Sequence, residues 1–310
     1  MGLEQDVKVI NWNVGRGWPL GLARFPSRSY TRWHNKRNPE DQRPLPEGNN
    51  LQNQDIPLVA RVVKDADIFF LHEVDGPHQV PILQELLQDH NIYLGDVGND
   101  RYTLAGVRSD KKHEVSTYYT PCEFTNPFTG NRHTVPGIAA KNVVSIIYPV
   151  RTTQGEILPV RFDSFKATAG PFWTALKLRQ NEVTYVLDRL NEHDGPGVLV
   201  GDINIWDVQG NIPLPKWSPI KSIPLPKGMP LWFDRGLYRE ATEQYGFNDA
   251  DPNATPTDTL GVMRYDMALA KPGVEGNFDV MNGGPGIGFT GMDHNPIKYK
   301  PARFTLTDVE

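Results

Sequence analysis

Short apolar runs recur along this chain, each closed by a polar or acidic residue. Val7 to Trp12 alternates and is rich in β-formers, which predicts a strand that ends beside Asn13. Asp67-Ile-Phe-Phe-Leu-His reads as a buried strand running into Glu73, and Val198-Leu-Val-Gly as another running into Asp202-Ile203-Asn204. Further strands are expected near 91–96, 102–107, 143–148, 157–165, 262–269, 277–281, 296–300 and 302–306. Three- and four-residue steps of Leu176, Val183, Val186, Leu187 and Leu190 predict a long helix over about 172–192, stopped near Asp194-Gly195. Shorter helices are expected over 56–63, 80–87 and 231–245. Strands outnumber helices and the two are interleaved, which makes this an α/β protein with mixed sheets in a single domain spanning 1–310.

Three stretches lack periodicity and read as long loop insertions: 15–54, 108–140 and 207–230. The last contains an echo, Ile212-Pro-Leu-Pro-Lys216 and Ile223-Pro-Leu-Pro-Lys227, too short for a solenoid repeat and taken as extended surface loop. At 310 residues with 38% hydrophobic and 22% charged content, the chain has material for a substantial core. No run approaches the roughly 18 apolar residues of a membrane span. The opening residues lack a secretory pattern and the lone Cys122 excludes an internal disulfide, so a cytoplasmic location is expected. Net charge is −5, yet seven cations against two acids between Arg16 and Arg43 give that segment +5 and leave −10 for the rest.

The polar residues that close the apolar runs carry the chemistry. A charge at the end of a buried strand is costly unless something compensates it. Here Glu73, Asp202, Asp266 and Asp293, with Asn13, Asn204 and His294, are spread over the whole length. Taken singly each has a plain structural use: Asn13, Asp202 and Asn204 as turn residues, Glu73 as partner of a surface cation, Asp266 as partner of Arg264, His294 as a core or surface histidine. Together they are the set needed to gather strand ends around a divalent metal and a phosphate.

The blocks Asn11-Trp12-Asn13-Val14, Leu71-His72-Glu73-Val74, Gly201-Asp202-Ile203-Asn204, Arg264-Tyr265-Asp266 and Asp293-His294-Asn295-Pro296, in this order, resemble the signatures of the endonuclease/exonuclease/phosphatase superfamily. The resemblance runs from residue 7 to about 300. It implies two packed mixed β-sheets flanked by helices, a four-layer α/β sandwich. It also implies a Mg²⁺-dependent phosphoric ester hydrolase, with Mn²⁺ a possible substitute. Glu73 would hold the metal, with Asn13 orienting it or contacting the metal and Asp293 binding the metal or a substrate-side water. Asp202 would position and deprotonate the attacking water. Asn204 and His294 would donate to phosphoryl oxygens, with Asp266 orienting His294.

One departure stands out. Many members carry a histidine at the end of the strand before the long helix, and in Phe162-Asp163-Ser164-Phe165-Lys166 the aligned residue is Ser164. Lys166, Asp163, His113 or His133 are the available replacements; the alternative is that metal-bound water serves as the acid. The 15–54 loop should emerge at the site's rim, and it interleaves Arg16, Arg24, Arg28, Arg32 and Arg37 with Trp18, Phe25, Tyr30 and Trp33. Guanidinium groups on phosphates and aromatic faces on bases suit nucleic acid, which makes Arg16, Arg28, Arg32, Trp33 and Ser164 the expected substrate contacts. A solvated loop packed on its own domain is the alternative. The expected activity is nuclease-type phosphodiester hydrolysis of DNA or RNA. The alternatives are hydrolysis of a small or lipid-headgroup phosphate, and a degenerate member that binds phosphate without cutting. No protein partner is evident.

Overall fold

The computed structural model describes residues 7–15, 51, 53–95, 102–125, 130–134, 140–151, 155–169, 173–208, 211–213, 222–224, 235–251, 263–281 and 296–304. In chain order the elements are β1 Val9–Asn13, α1 Ile56–Val63, β2 Ile68–Val74, α2 Gln79–Leu86, β3 His90–Gly95, β4 Tyr102–Arg108, β5 Glu114–Tyr119, β6 Glu123–Thr125, β7 Arg132–Thr134, β8 Asn142–Arg151, β9 Ile157–Ser164, α3 Trp173–Asn191, β10 Gly197–Val208, β11 Asn211–Pro213, β12 Ser222–Pro224, α4 Arg235–Arg239, β13 Asn248–Asp249, β14 Met263–Ala270, β15 Val274–Val280 and β16 Ile297–Phe304.

They form two six-stranded mixed sheets, ordered β15-β16-β1-β2-β4-β3 and β13-β14-β10-β9-β8-β5. Each sheet holds one parallel pair at its centre, β1 with β2 and β9 with β10. Those pairs are joined through α1 and α3, because parallel neighbours need a crossover long enough to return the chain to the same end of the sheet. Period-two alternation then separates two kinds of core. Val9, Ile68, Phe70, Phe162, Val198, Val200 and Ala268 meet between the sheets. On the other face of the first sheet, Ile10, Trp12, Phe69 and Leu71 pack on Ile56, Val59 and Val63 of α1 and Leu83 of α2. On the second, Phe165, Leu199 and Leu269 pack on Val183, Val186 and Leu187 of α3 and Leu237 of α4. The result is the expected four layers, helix–sheet–sheet–helix.

Several expectations need correction. The 108–140 stretch is not irregular: β5 pairs with β8, and β6 with β7. Strand β5 lies at the sheet edge and buries only Val115 on one face and Tyr118 on the other, each in part, so it carries no apolar alternation to detect. In the proline-rich segment the two echoed motifs pair with each other, Ile212 opposite Ile223, as β11 and β12. The two strands expected at 296–300 and 302–306 are one, β16. Pro301 lies beyond the part of β16 that pairs with β1, and a register shift against β15 there absorbs the missing donor. The helix expected at 231–245 begins, within the described residues, at Arg235 and continues after α4 as a π-turn, Glu240–Gln244.

Candidate active site

The alternation that fills the inter-sheet core with apolar side chains turns polar at one end. On β1 the inward series runs Val9, Asn11, Asn13; on β2 it runs Ile68, Phe70, His72. Along β9 and just past it the series is Phe162, Ser164, Lys166. On β10 it is Val198, Val200, Asp202, and on β14 it reaches Asp266 opposite Asp202. This end coincides with the carboxyl ends of both central parallel pairs, the place where open α/β sheets gather ligands.

Two irregularities bring the remaining groups in. Between Leu71 and Val74, β2 advances three residues while β4 advances two, and Glu73 in that bulge has φ 63°. Between Asp202 and Asp207, β10 advances five residues while β14 advances two, and Asn204 there has φ 53°. A left-handed backbone costs an ordinary residue about 1 kcal/mol, less for asparagine. Bulges of this kind commonly re-aim a side chain beside an active site.

The cluster so formed is tight. Asn13 Nδ2 donates to Asp202 Oδ2 at 2.9 Å, and the Gly15 amide donates to Asn13 Oδ1 at 3.0 Å, fixing the orientation of the side-chain amide. Lys166 Nζ lies 2.7 Å from Glu73 Oε1 and 3.1 Å from Asp202 Oδ2, an ammonium between two carboxylates. Asp202 is fully buried and Glu73 nearly so. Gly201 lets this happen: a Cβ there would stand 2.5 Å from the Phe165 carbonyl oxygen, so only glycine allows the end of β9 to approach β10 and seat Lys166 against Asp202. Asn204 Nδ2 donates to the Ala167 carbonyl at 3.0 Å, tying the same segment from the other side.

Beneath lies a second, fully buried layer. Asn11 Nδ2 donates to Asp266 Oδ1 at 3.3 Å, and Asn11 Oδ1 meets His72 Nε2 at 2.9 Å and accepts from Ser164 Oγ at 3.1 Å. His72 Nδ1 sits 3.3 Å from Thr103 Oγ1. Asp202 and Asp266 face each other across β10 and β14, an arrangement that repels unless each is compensated. Lys166 and Asn13 do so for the first, Asn11 for the second.

Of the expected site residues, Asn13, Glu73, Asp202, Asn204 and Asp266 lie at this end. Ser164, expected as a substrate contact, is fully buried and bonded to Asn11 and His72, one inward step below the cluster. The inward position at the cluster's level is Lys166, because alternation places same-face residues two apart. Asn11 and His72 were quoted in the motifs without a role, and the signal that they had one is their inward parity with Asn13 and Phe70. Arg16, Arg28, Arg32, Trp33, Asp293 and His294 lie outside the described residues.

A divalent metal suits the donor set present. Glu73 and Asp202 supply hard carboxylate oxygens and Asn13 an amide, and the pair of carboxylates already surrounds a cationic group. Mg²⁺ needs only one or two carboxylates, since water and substrate phosphate complete its shell. Among the described residues no group of three or more His, Cys, Asp and Glu side chains is placed to hold a metal ion by itself.

No protein-family model matches the sequence, and no curated protein does. Solved structures do. An endonuclease/exonuclease/phosphatase family protein from Bacteroides thetaiotaomicron is 16% identical, with a TM-score of 0.57 over 96% of this chain and 97% of that one. A mannosyl-6-phosphatase from the same organism is 15% identical, with a TM-score of 0.55 over 94% and 98%. TDP2 from Caenorhabditis elegans is 16% identical, with a TM-score of 0.52 over 97% and 98%. The chain has the endonuclease/exonuclease/phosphatase fold.

Proposed function

We propose that this protein is a metal-dependent phosphoric ester hydrolase, and that it cleaves phosphodiesters of nucleic acid by direct attack of water. The observation that carries the proposal is the convergence of Asn13, Glu73, Lys166, Asp202, Asn204 and Asp266 at the carboxyl end of both central strand pairs. Glu73 and Asn13, with Asp293, would hold Mg²⁺ or Mn²⁺, which supplies charge neutralisation at the phosphate when bound. Asp202 acts on the water: it is buried, fixed by Asn13, and its carboxylate accepts the proton as the water attacks. Asn204 and His294 donate to the phosphoryl oxygens as charge builds, with Asp266 fixing the imidazole. Lys166 takes the place of the histidine found at this strand end in many members, and offers a cation to the phosphoryl group instead of an imidazole.

Nucleic acid is favoured by the cationic, aromatic 15–54 segment, which leaves β1 directly after Asn13. A small phosphorylated substrate is the second reading, favoured by the fold's occurrence in a sugar phosphatase. Salt separates the two. Binding to a polymer that contacts many phosphates weakens steeply as salt rises, and binding to a single phosphate does not.

Asp202→Asn tests the mechanism. Metal-dependent hydrolysis should fall by about 10²-fold or more while the fold persists, since the variant keeps the shape but loses the proton acceptor. An Asp202→Asn protein as active as wild type would overturn the assignment.

A further inference from the structure

The Lys166 ammonium sits against Glu73, the carboxylate proposed to hold the metal, and against Asp202, the one proposed to act on the water. It is 2.7 Å from Glu73 Oε1 and 3.1 Å from Asp202 Oδ2, and its own side chain is only 18% exposed. Its backbone is pinned as well. Lys166 pairs with Asp202 in a parallel bridge, and the next amide, that of Ala167, donates to the Asp202 carbonyl at 2.8 Å. One residue further, Thr168 is clamped by α3: its amide and hydroxyl both donate to Glu182 at 2.7 Å, and its carbonyl accepts from Arg179 at 2.7 Å. Both clamping residues are buried, Glu182 fully. The lysine is therefore delivered to the carboxylates by the fold and is not a surface side chain that happens to reach them.

We propose that Lys166 is a resident counter-ion of this site: it holds Glu73 and Asp202 together before metal binds, and the divalent ion must displace it. The inference rests on the proposal that Glu73 holds the metal with Asp202 beside it. Two cations cannot share them at this distance without strong repulsion, because a unit and a double charge a few ångströms apart interact by several-fold more than thermal energy even in a partly screened site. Metal affinity in this protein is thus lowered by the work of moving the ammonium aside. The lysine, once displaced, stays tethered beside the metal, where a substrate phosphate would meet it.

The test is Mn²⁺ binding to the intact protein, read by calorimetry and by loss of the free-ion paramagnetic resonance signal, without any substrate. Lys166→Met and Lys166→Gln remove the charge with side chains that fill similar space. Each should bind Mn²⁺ at least about tenfold more tightly than wild type, and Lys166→Arg, which keeps the charge, should bind like wild type. Tighter binding in both neutral variants establishes the competition. Equal affinity in wild type and in the neutral variants that fold would overturn it while leaving the metal site standing. Failure of every folded protein to bind Mn²⁺ would overturn the metal assignment itself, and the inference with it.

Discussion

Gly15→Ala perturbs the position of Glu73 more than that of any other group. Gly15 follows β1 by two residues and its backbone is not in the left-handed region, so alanine can adopt its conformation. The new methyl has nowhere to go: it would overlap Glu73 Oε2 and stand 2.8 Å from Glu73 Cδ and 3.1 Å from Asn13 Oδ1. Non-bonded carbon wants about 3.5 Å or more, so the Glu73 carboxylate must move by more than about 1 Å. A shift of that size in a catalytic constellation costs about 10²-fold in rate, equivalent to about 2.7 kcal/mol of transition-state stabilisation. Stability should change little. A glycine replaced by alanine at a compatible conformation gains about 0.4–1 kcal/mol from the unfolded state, which offsets the weakened Glu73–Lys166 pair, and Lys166 retains Asp202 as a partner. The assay is Mg²⁺-dependent hydrolysis of bis-p-nitrophenyl phosphate beside a thermal melt. A large loss of turnover at nearly constant melting temperature is expected. Undiminished turnover would refute the placement of Glu73 in the reaction.

Three further outcomes follow from other parts of the structure. At position 204 the left-handed backbone predicts that Asn204→Ala is less stable than Asn204→Gly by about 1 kcal/mol; urea denaturation of the two variants measures the difference, and the reverse order would show that the bulge relaxes. Asn11→Leu removes a donor to Asp266 and an acceptor for Ser164 in a fully buried layer, at an expected cost of about 1–3 kcal/mol, and an unchanged urea midpoint would contradict the network. Burial holds the His90 imidazole below its ordinary value of 6.5, so the unfolded chain takes up that proton more readily than the folded protein. The stability it contributes is complete above the ordinary value and is lost as pH falls through the lower folded one. Urea midpoints at about pH 7.5 and about pH 5.5 should therefore differ less in His90→Gln than in wild type, and an identical pH dependence would exclude the effect.

Much of this site was legible in the sequence because it violates a pattern. A carboxylate that ends an apolar run has to be compensated, and Glu73 and Asp202 announce themselves in that way. The fold class followed from strand and helix periods, since buried strands such as Ile68–Val74 and Val198–Gly201 are nearly continuous apolar runs. Lys166 was harder to place. Matching by position put Ser164 where the histidine of related motifs falls, whereas the parity of Phe162, Ser164 and Lys166 on one face carries the site one step further along the strand. Strand β5 left no trace for a different reason: an edge strand that rests on the two cores through Val115 and Tyr118 alone needs no apolar alternation. The buried Asn11–His72–Ser164–Asp266 layer depends on contacts between residues up to 255 positions apart, and no local pattern encodes such a meeting. The same holds for the bulges that turn Glu73 and Asn204 inward, which arise from strand pairing and not from local propensity.

The most direct test of the central claim is hydrolysis of a substrate panel by wild type and Asp202→Asn. The panel would contain supercoiled DNA, single-stranded DNA, RNA, an inositol polyphosphate and bis-p-nitrophenyl phosphate, each with Mg²⁺, with Mn²⁺ and with EDTA. The account predicts metal-dependent cleavage of a nucleic acid that EDTA abolishes and Asp202→Asn loses. Cleavage of the small phosphates alone would contradict the nucleic-acid assignment, and cleavage that survives both EDTA and Asp202→Asn would contradict the site itself.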